Sequence, residues 1–239
     1  LLGAPLIEAV GWRAMWLLLG ALALAAALVL VVAIGRDDAA PAHAPVWQRL
    51  HRTLSVRDPW LVAIAFLLYS GQWLAVIGFL PTIVAQAGYP GGAVGALGAV
   101  AALVNMVGNV GAGRWLAGGA RPGWVLAVAY LTMGLAAVVA FGVQGHPLLQ
   151  YAAVLVFSAV GGLIPGTLFV LAVRLAPGPD TVSTTVGWMQ QLSSLGQFAG
   201  PPLVAWVATL AGGWHLTWAV TSFASAVGLG VAWALHRRP

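Results

Sequence analysis

The chain has 239 residues, of which 61% are hydrophobic and 6% charged, and it holds no cysteine. A soluble domain carries roughly 25% charged residues, so an ordinary water-soluble globule is excluded. So are a disulfide framework, a thiol nucleophile and a zinc finger.

A transmembrane helix needs roughly 20 apolar residues, because the hydrocarbon core is about 30 Å thick and a helix rises about 1.5 Å per residue. The chain opens on a short apolar tail, 1–9, that reads as the end of a helix. Seven spans follow, at 14–34, 60–80, 93–113, 124–143, 148–173, 184–208 and 215–235. Glycine and proline clusters punctuate them at 87–92, 118–122, 144–147, 177–180 and 212–213. The longest break is 36–57. Its first part, with Arg36, Asp37, Asp38, Pro41 and His43, is a polar linker. Its second part places Val46, Trp47, Leu50 and Leu54 on one helical face and Gln48, Arg49, His51, Arg52 and Ser55 opposite, which predicts a helix lying in the membrane interface. Asp58 then reads as a helix cap and Pro59 as the first helical residue.

All ten basic residues are arginine. If the spans alternate, the loops 35–58, 114–122 and 174–183 and the C-terminal tail share one side. That side holds Arg36, Arg49, Arg52, Arg57, Arg114, Arg121, Arg174, Arg237 and Arg238, and the other side only Arg13. Excess arginine marks the cytoplasmic side, so the pI of about 10.8 reflects topology and carries no indication of nucleic acid. Ten of the 12 tryptophans fall near span ends or in a loop, as an interfacial aromatic belt requires. The expected location is a multi-pass plasma membrane, such as a bacterial inner membrane, with the C-terminus cytoplasmic.

The two ends of the chain repeat one pattern. Gly3-Ala4-Pro5-Leu6 and Gly11-Trp12-Arg13-Ala14-Met15-Trp16 precede the first long span. Gly200-Pro201-Pro202-Leu203 and Gly213-Trp214-His215-Leu216-Thr217-Trp218 precede the last. The period is six helices, and an even period keeps the two copies parallel. Such repeats build transporters from two six-helix halves, and a period of about 200 residues implies a complete chain of roughly 400.

On these residues the sequence resembles the major facilitator superfamily. Gly3-Ala4-Pro5 looks like the end of that family's motif on its fifth helix, and Gly11-Trp12-Arg13 with Trp16 like the lead into its sixth. The resemblance implies an all-α integral membrane bundle, comprising the second six-helix half plus the last hairpin of the first half. Residues 1–35 would be the end of the fifth helix and the sixth, 36–57 the cytoplasmic central loop, and 58–239 the C-terminal bundle. The partners implied are a small-molecule solute, the lipid bilayer and the missing N-terminal half of the same chain, with no nucleic acid. Residues 111–121 stand where the family's second-half gating motif would be. Here the motif keeps its glycines, Arg114 and Arg121 but has no aspartate. Gly161-Gly162-Leu163-Ile164-Pro165 and Met189-Gln190-Gln191 look most like cyanate-permease-like transporters.

No span interior contains Asp, Glu, Lys, Arg or His, so no catalytic residue, metal site or cofactor is expected there. Neutral polar residues are concentrated instead. Tyr69, Gln72 and Trp73 lie in the second span and Asn105 and Asn109, one turn apart, in the third. Gln190, Gln191, Ser194 and Gln197 lie in the sixth. Amides in hydrocarbon need partners, so these residues line a cavity or bond neighbouring helices. Gly161, Gly162 and Pro165 predict a kink that either flexes during transport or packs statically. The function expected is secondary active transport of a small organic solute by alternating access. The alternatives are a drug-type efflux pump and a non-transporting membrane protein on the same fold.

Overall fold

The structure is a computed structural model that describes residues 3–33, 44–86, 88 and 90–236. It contains two units, residues 1–44 and 45–239, taken here in turn. The linker from Arg36 to His43, the Glu8 side chain, and Arg237 and Arg238 lie outside the described residues.

The first unit is α1, Gly3–Ala33. Its helix breaks once, at Gly11, where φ is 79° and ψ is 157°. A side chain at that φ would clash with the backbone, so glycine is the residue that permits the break. The apolar tail and the first span are thus two helical segments meeting just before Trp12. Next to the break, the Arg13 guanidinium lies 5.2 Å from the Trp12 ring centroid.

The second unit opens with α2, Val46–Leu54, followed by α3, Arg57–Gln86, and α4, Gly91–Ala117. Next come α5, Pro122–Ala137, extended by a π-helical turn at Val138–Gly142, and α6, Pro147–Gly161. The last three are α7, Leu163–Arg174, α8, Val182–Ala211, and α9, Thr217–His236. Six segments of the described chain are long and apolar enough to cross a membrane, with α6 and α7 acting as one. The sequence reading counts seven. The difference is α8, which has the expected place and 30 residues but too much polarity to stand among the six. Its amides and hydroxyls between Ser183 and Gln197 lower its hydropathy, and it packs extensively along α3.

Two further expectations shift. Helix α3 begins at Arg57, so Asp58 stands in the first turn and not at the cap. The first four N–H groups of a helix have no intrahelical acceptor, so Pro59 fits there without loss. On α2, the face turned to the bundle is Leu50, Thr53 and Leu54, whereas Val46 and Trp47 point outward. An ion pair between Arg52 and Asp180, and a 2.9 Å bond from Trp60 Nε1 to the Leu54 carbonyl, fix that rotation.

Two pairs of helices meet backbone to backbone. A side chain at Gly162 would strike the Asn105 carbonyl and one at Gly108 the Ala159 carbonyl, so α4 presses on the junction of α6 and α7. Between α3 and α8, Gly196 sits against the Leu67 carbonyl and Gly200 against the Gly71 carbonyl. Lipid supplies no hydrophobic drive between helices, so such close packing is what holds them together. In the core, Tyr130 is fully buried and donates to the Ala65 carbonyl at 2.5 Å, joining α5 to α3.

Candidate functional site

One turn and a residue of α3, 69–73, faces four neighbouring helices with polar groups. The Tyr69 hydroxyl oxygen accepts from Asn105 Nδ2 at 3.0 Å. Asn105 Nδ2 also donates to the Ser158 carbonyl at 2.8 Å, linking α4 to α6. Asn109 Nδ2 donates to Asn105 Oδ1 at 3.1 Å, which the one-turn spacing makes natural. Trp73 Nε1 donates to Ser158 Oγ at 3.1 Å, and that hydroxyl donates to the Ala101 carbonyl at 2.6 Å. Phe66 stacks on Tyr69 with ring centroids 6.1 Å apart.

Tyr69, Trp73, Asn105 and Asn109 therefore form one cluster with Ser158. Tyr69 is buried, while Trp73 and both asparagines are half-buried. The cluster offers two aromatic rings, two amides and a phenol, with no charge. Among the described residues, the Tyr69 hydroxyl proton has no protein acceptor. Such a surface suits a neutral solute that hydrogen-bonds at its edge and stacks on its face.

The kink adjoins this cluster. A side chain at Gly161 would lie 3.0 Å from Met133 Sδ and 3.4 Å from the Tyr69 ring. At Gly162 it would lie 3.1 Å from the Asn109 backbone nitrogen. Pro165 lacks the N–H that would donate to the Gly161 carbonyl, which separates α6 from α7.

The other candidates lie elsewhere. Gln72 turns to α9, where its Oε1 accepts from Ser225 Oγ at 3.0 Å. Gln190, Gln191, Ser194 and Gln197 are exposed on α8. Of these, Gln197 reaches a neighbour, donating to Ser193 Oγ at 3.3 Å. Ser193 in turn lies 2.6 Å from Ser70 Oγ, tying α8 to α3. Arg114 and Arg121 are exposed around the turn between α4 and α5, and neither makes an ion pair among the described residues. Sequence reasoning missed Ser158, which holds both Trp73 and Asn105. The signal was present: Ser158 is the single polar side chain between Tyr151 and Thr167.

The family model of the Major Facilitator Superfamily matches residues 1–201. The chain belongs to the major facilitator superfamily. Two solved structures share its fold. One is a superfamily transporter, FucP, in the outward conformation, with a TM-score of 0.74 and 18% identity over 94% of this chain and 55% of that one. The other is the E. coli fucose:proton symporter FucP in a variant form, also with a TM-score of 0.74 and 18% identity, over 89% of this chain and 53% of that one. The chain thus spans about half the length of the structures it matches. No curated protein matches the sequence significantly. The family and both matched proteins are transporters and not enzymes.

Proposed function

We propose that this superfamily member carries a small, neutral, polar organic solute by alternating access, and that Tyr69, Trp73, Asn105 and Asn109 contact the solute. The observation that carries the reading is the uncharged hydrogen-bonded cluster set directly against the α6–α7 junction. Groups that grip a solute gain leverage on the protein when they also touch a break in a helix. The matched fucose:proton symporter carries a sugar, and a sugar ring needs the edge hydrogen bonds and ring faces that this cluster provides. The span interiors of this chain hold no Asp, Glu, Lys, Arg or His to take a coupled proton. The cyanate-permease resemblance of 161–165 and 189–191 points instead to a small polar or anionic solute, and an anion would need a counter-charge that the span interiors of this chain do not hold. Gly161, Gly162 and Pro165 serve as the flexing element, and the arginine-rich loops lie on the cytoplasmic side of the plasma membrane.

The test is uptake by cells or proteoliposomes holding the full-length transporter, with a panel of labelled neutral sugars, polyols and amides. Asn105→Ala is expected to raise KM about tenfold for the accepted solute, because it removes one acceptor and the donor that holds the Tyr69 hydroxyl, with uptake normalised to surface abundance. Tyr69→Phe should raise KM less, because the ring stays. If both variants transport normally, the cluster is interhelical packing and the solute binds elsewhere. If cells instead lose resistance to hydrophobic drugs when the gene is removed and no polar solute is taken up, the efflux reading replaces this one.

A further inference from the structure

A trough runs between α5 and α9 along the surface of the second unit. At the end nearest Arg121 its walls are Trp124 and Trp233, which are 61% and 60% exposed. His236 lines that end, its ring nearly perpendicular to the Trp124 ring with centroids 5.8 Å apart. The floor is made of small residues, Ala127, Ala226 and Gly230. A side chain added at Gly230 would meet nothing within 4 Å, so the floor is open there and no helix backbone lies on it. The cavity volume is about 440 Å³. A second hollow of about 210 Å³ shares Ala226 with the first and carries the trough past Leu131 and Leu135 to Val138 and Ser222.

The two ends differ in chemistry. The stretch from Ser222 to His236 lies in one helix and rises about 21 Å, enough to cross one leaflet of a hydrocarbon core about 30 Å thick. Along it the walls are apolar and the hydroxyls are engaged inward. Ser222 donates to the Gly134 carbonyl at 3.1 Å and Ser225 to Gln72. At the other end Arg121 directly precedes α5, three residues before Trp124 and so on the same side of the helix. It is exposed and in no ion pair among the described residues. In the sequence Arg237 and Arg238 follow His236 at once, and neither 122–142 nor 214–239 holds an aspartate or glutamate. Tryptophan rings settle at the level of lipid headgroups, which places this end at the membrane surface.

We propose that this trough binds an anionic phospholipid, with one acyl chain along the floor and the phosphate at Arg121. Charge selects the headgroup. A zwitterionic one would bring a further cation to an end that already has three arginines and no acidic residue on either element. Shape selects the tail. A free anion would use Arg121 but leave the long apolar floor uncovered, whereas an acyl chain lies along it. The two protruding tryptophans keep a second helix from resting flat on Ala226 and Gly230, while a hydrocarbon chain passes between them. The site shares no residue with the solute cluster, so its test does not depend on transport.

The probe is phosphatidylglycerol carrying a diazirine on one acyl chain, photolysed with the full-length protein in detergent micelles. Adducts are mapped by mass spectrometry. Saturable labelling is expected within 131–138 and 222–230. Unlabelled phosphatidylglycerol should displace the probe about tenfold better than phosphatidylcholine with the same chains. Arg121→Gln should reduce that preference about fivefold, the worth of one arginine beside an anionic headgroup. Gly230→Leu should abolish labelling by filling the floor. Its side chain enters open space on a helix, so thermal unfolding should stay normal. Equal displacement by phosphatidylcholine would overturn the proposal, since the trough would then hold any bilayer lipid. A preference unchanged by Arg121→Gln, or labelling unchanged by Gly230→Leu, would overturn it equally. So would a dimer in light scattering that Gly230→Leu dissociates, which would assign this face to a second copy of the chain.

Discussion

Asn105 holds more of the polar cluster than any other residue. Its single amide nitrogen bridges Tyr69 and the Ser158 carbonyl, and its oxygen receives Asn109. A leucine there would fit the hydropathy of α4 but leave the Ser158 carbonyl without that donor and Asn109 without its acceptor. Charge plays a smaller part. The Arg52–Asp180 pair joins α2 to the turn before α8, yet its side chains remain 43% and 26% exposed. Water and salt screen such a pair, and exposed pairs contribute about 0–1 kcal/mol. A double-mutant cycle with Arg52→Ala and Asp180→Ala, followed by thermal unfolding in detergent, should return a coupling below about 1 kcal/mol that vanishes in high salt. A coupling of several kcal/mol would show that α2 is clamped and not merely seated.

Among the elements, α4 offers an internal comparison. Gly108 and Gly113 lie on one helix, five residues apart. A side chain at Gly108 would meet the Ala159 carbonyl and Gly162, whereas nothing lies within 4 Å of one at Gly113. Gly113→Ala should be neutral or stabilise by up to about 1 kcal/mol, because alanine favours helix over the flexible unfolded chain. Gly108→Ala should destabilise by about 1–3 kcal/mol, since α4 must move off the α6–α7 junction to admit the methyl group. The midpoints of thermal unfolding compare the two directly. Equal midpoints would mean that the contact is loose enough to give. The same contact explains why the Gly-Gly-Leu-Ile-Pro segment needs both residue types. Pro165 opens the backbone ladder, and Gly162 lets α4 reach it.

For the whole molecule, sidedness is the open quantity. On the orientation proposed from the arginine count, α2, the α4–α5 turn and the turn before α8 face the cytoplasm. These 239 residues hold no cysteine, so a thiol introduced here is the single one within them. Trp47→Cys and Arg121→Cys, both at exposed positions, should react with a membrane-impermeant maleimide in inside-out vesicles and not in right-side-out ones. Gln86→Cys, at the far end of α3, should show the opposite preference. It stands beside Trp214, whose Nε1 donates to the Gln86 oxygen at 2.8 Å. The reverse pattern would invert the topology.

The repeat is legible without coordinates, and the helix is interrupted before the tryptophan in both copies. The first copy breaks at Gly11, directly before Trp12; in the last, α8 ends at Ala211 and Gly212, in the left-handed region, makes the turn two residues before Trp214. Span positions were legible too, because each residue contributes to hydropathy whatever its neighbours are. Direction around a helix was not. Gln72 and Tyr69 are three apart, about 60° around α3, and the sequence offers both as candidates to contact the solute. The fold splits them, because α9 takes the Gln72 side and α4 the Tyr69 side. Likewise Val46 and Trp47 belong to the apolar pattern of α2, but its packing selects Leu50, Thr53 and Leu54. Composition and period by themselves determined that this is a multi-helix membrane protein with arginine-rich loops and uncharged spans, since those are sums over single residues. Which polar side chains meet was decided by tertiary structure alone. That depends on where glycines on two helices let backbones touch, and it is a property of pairs.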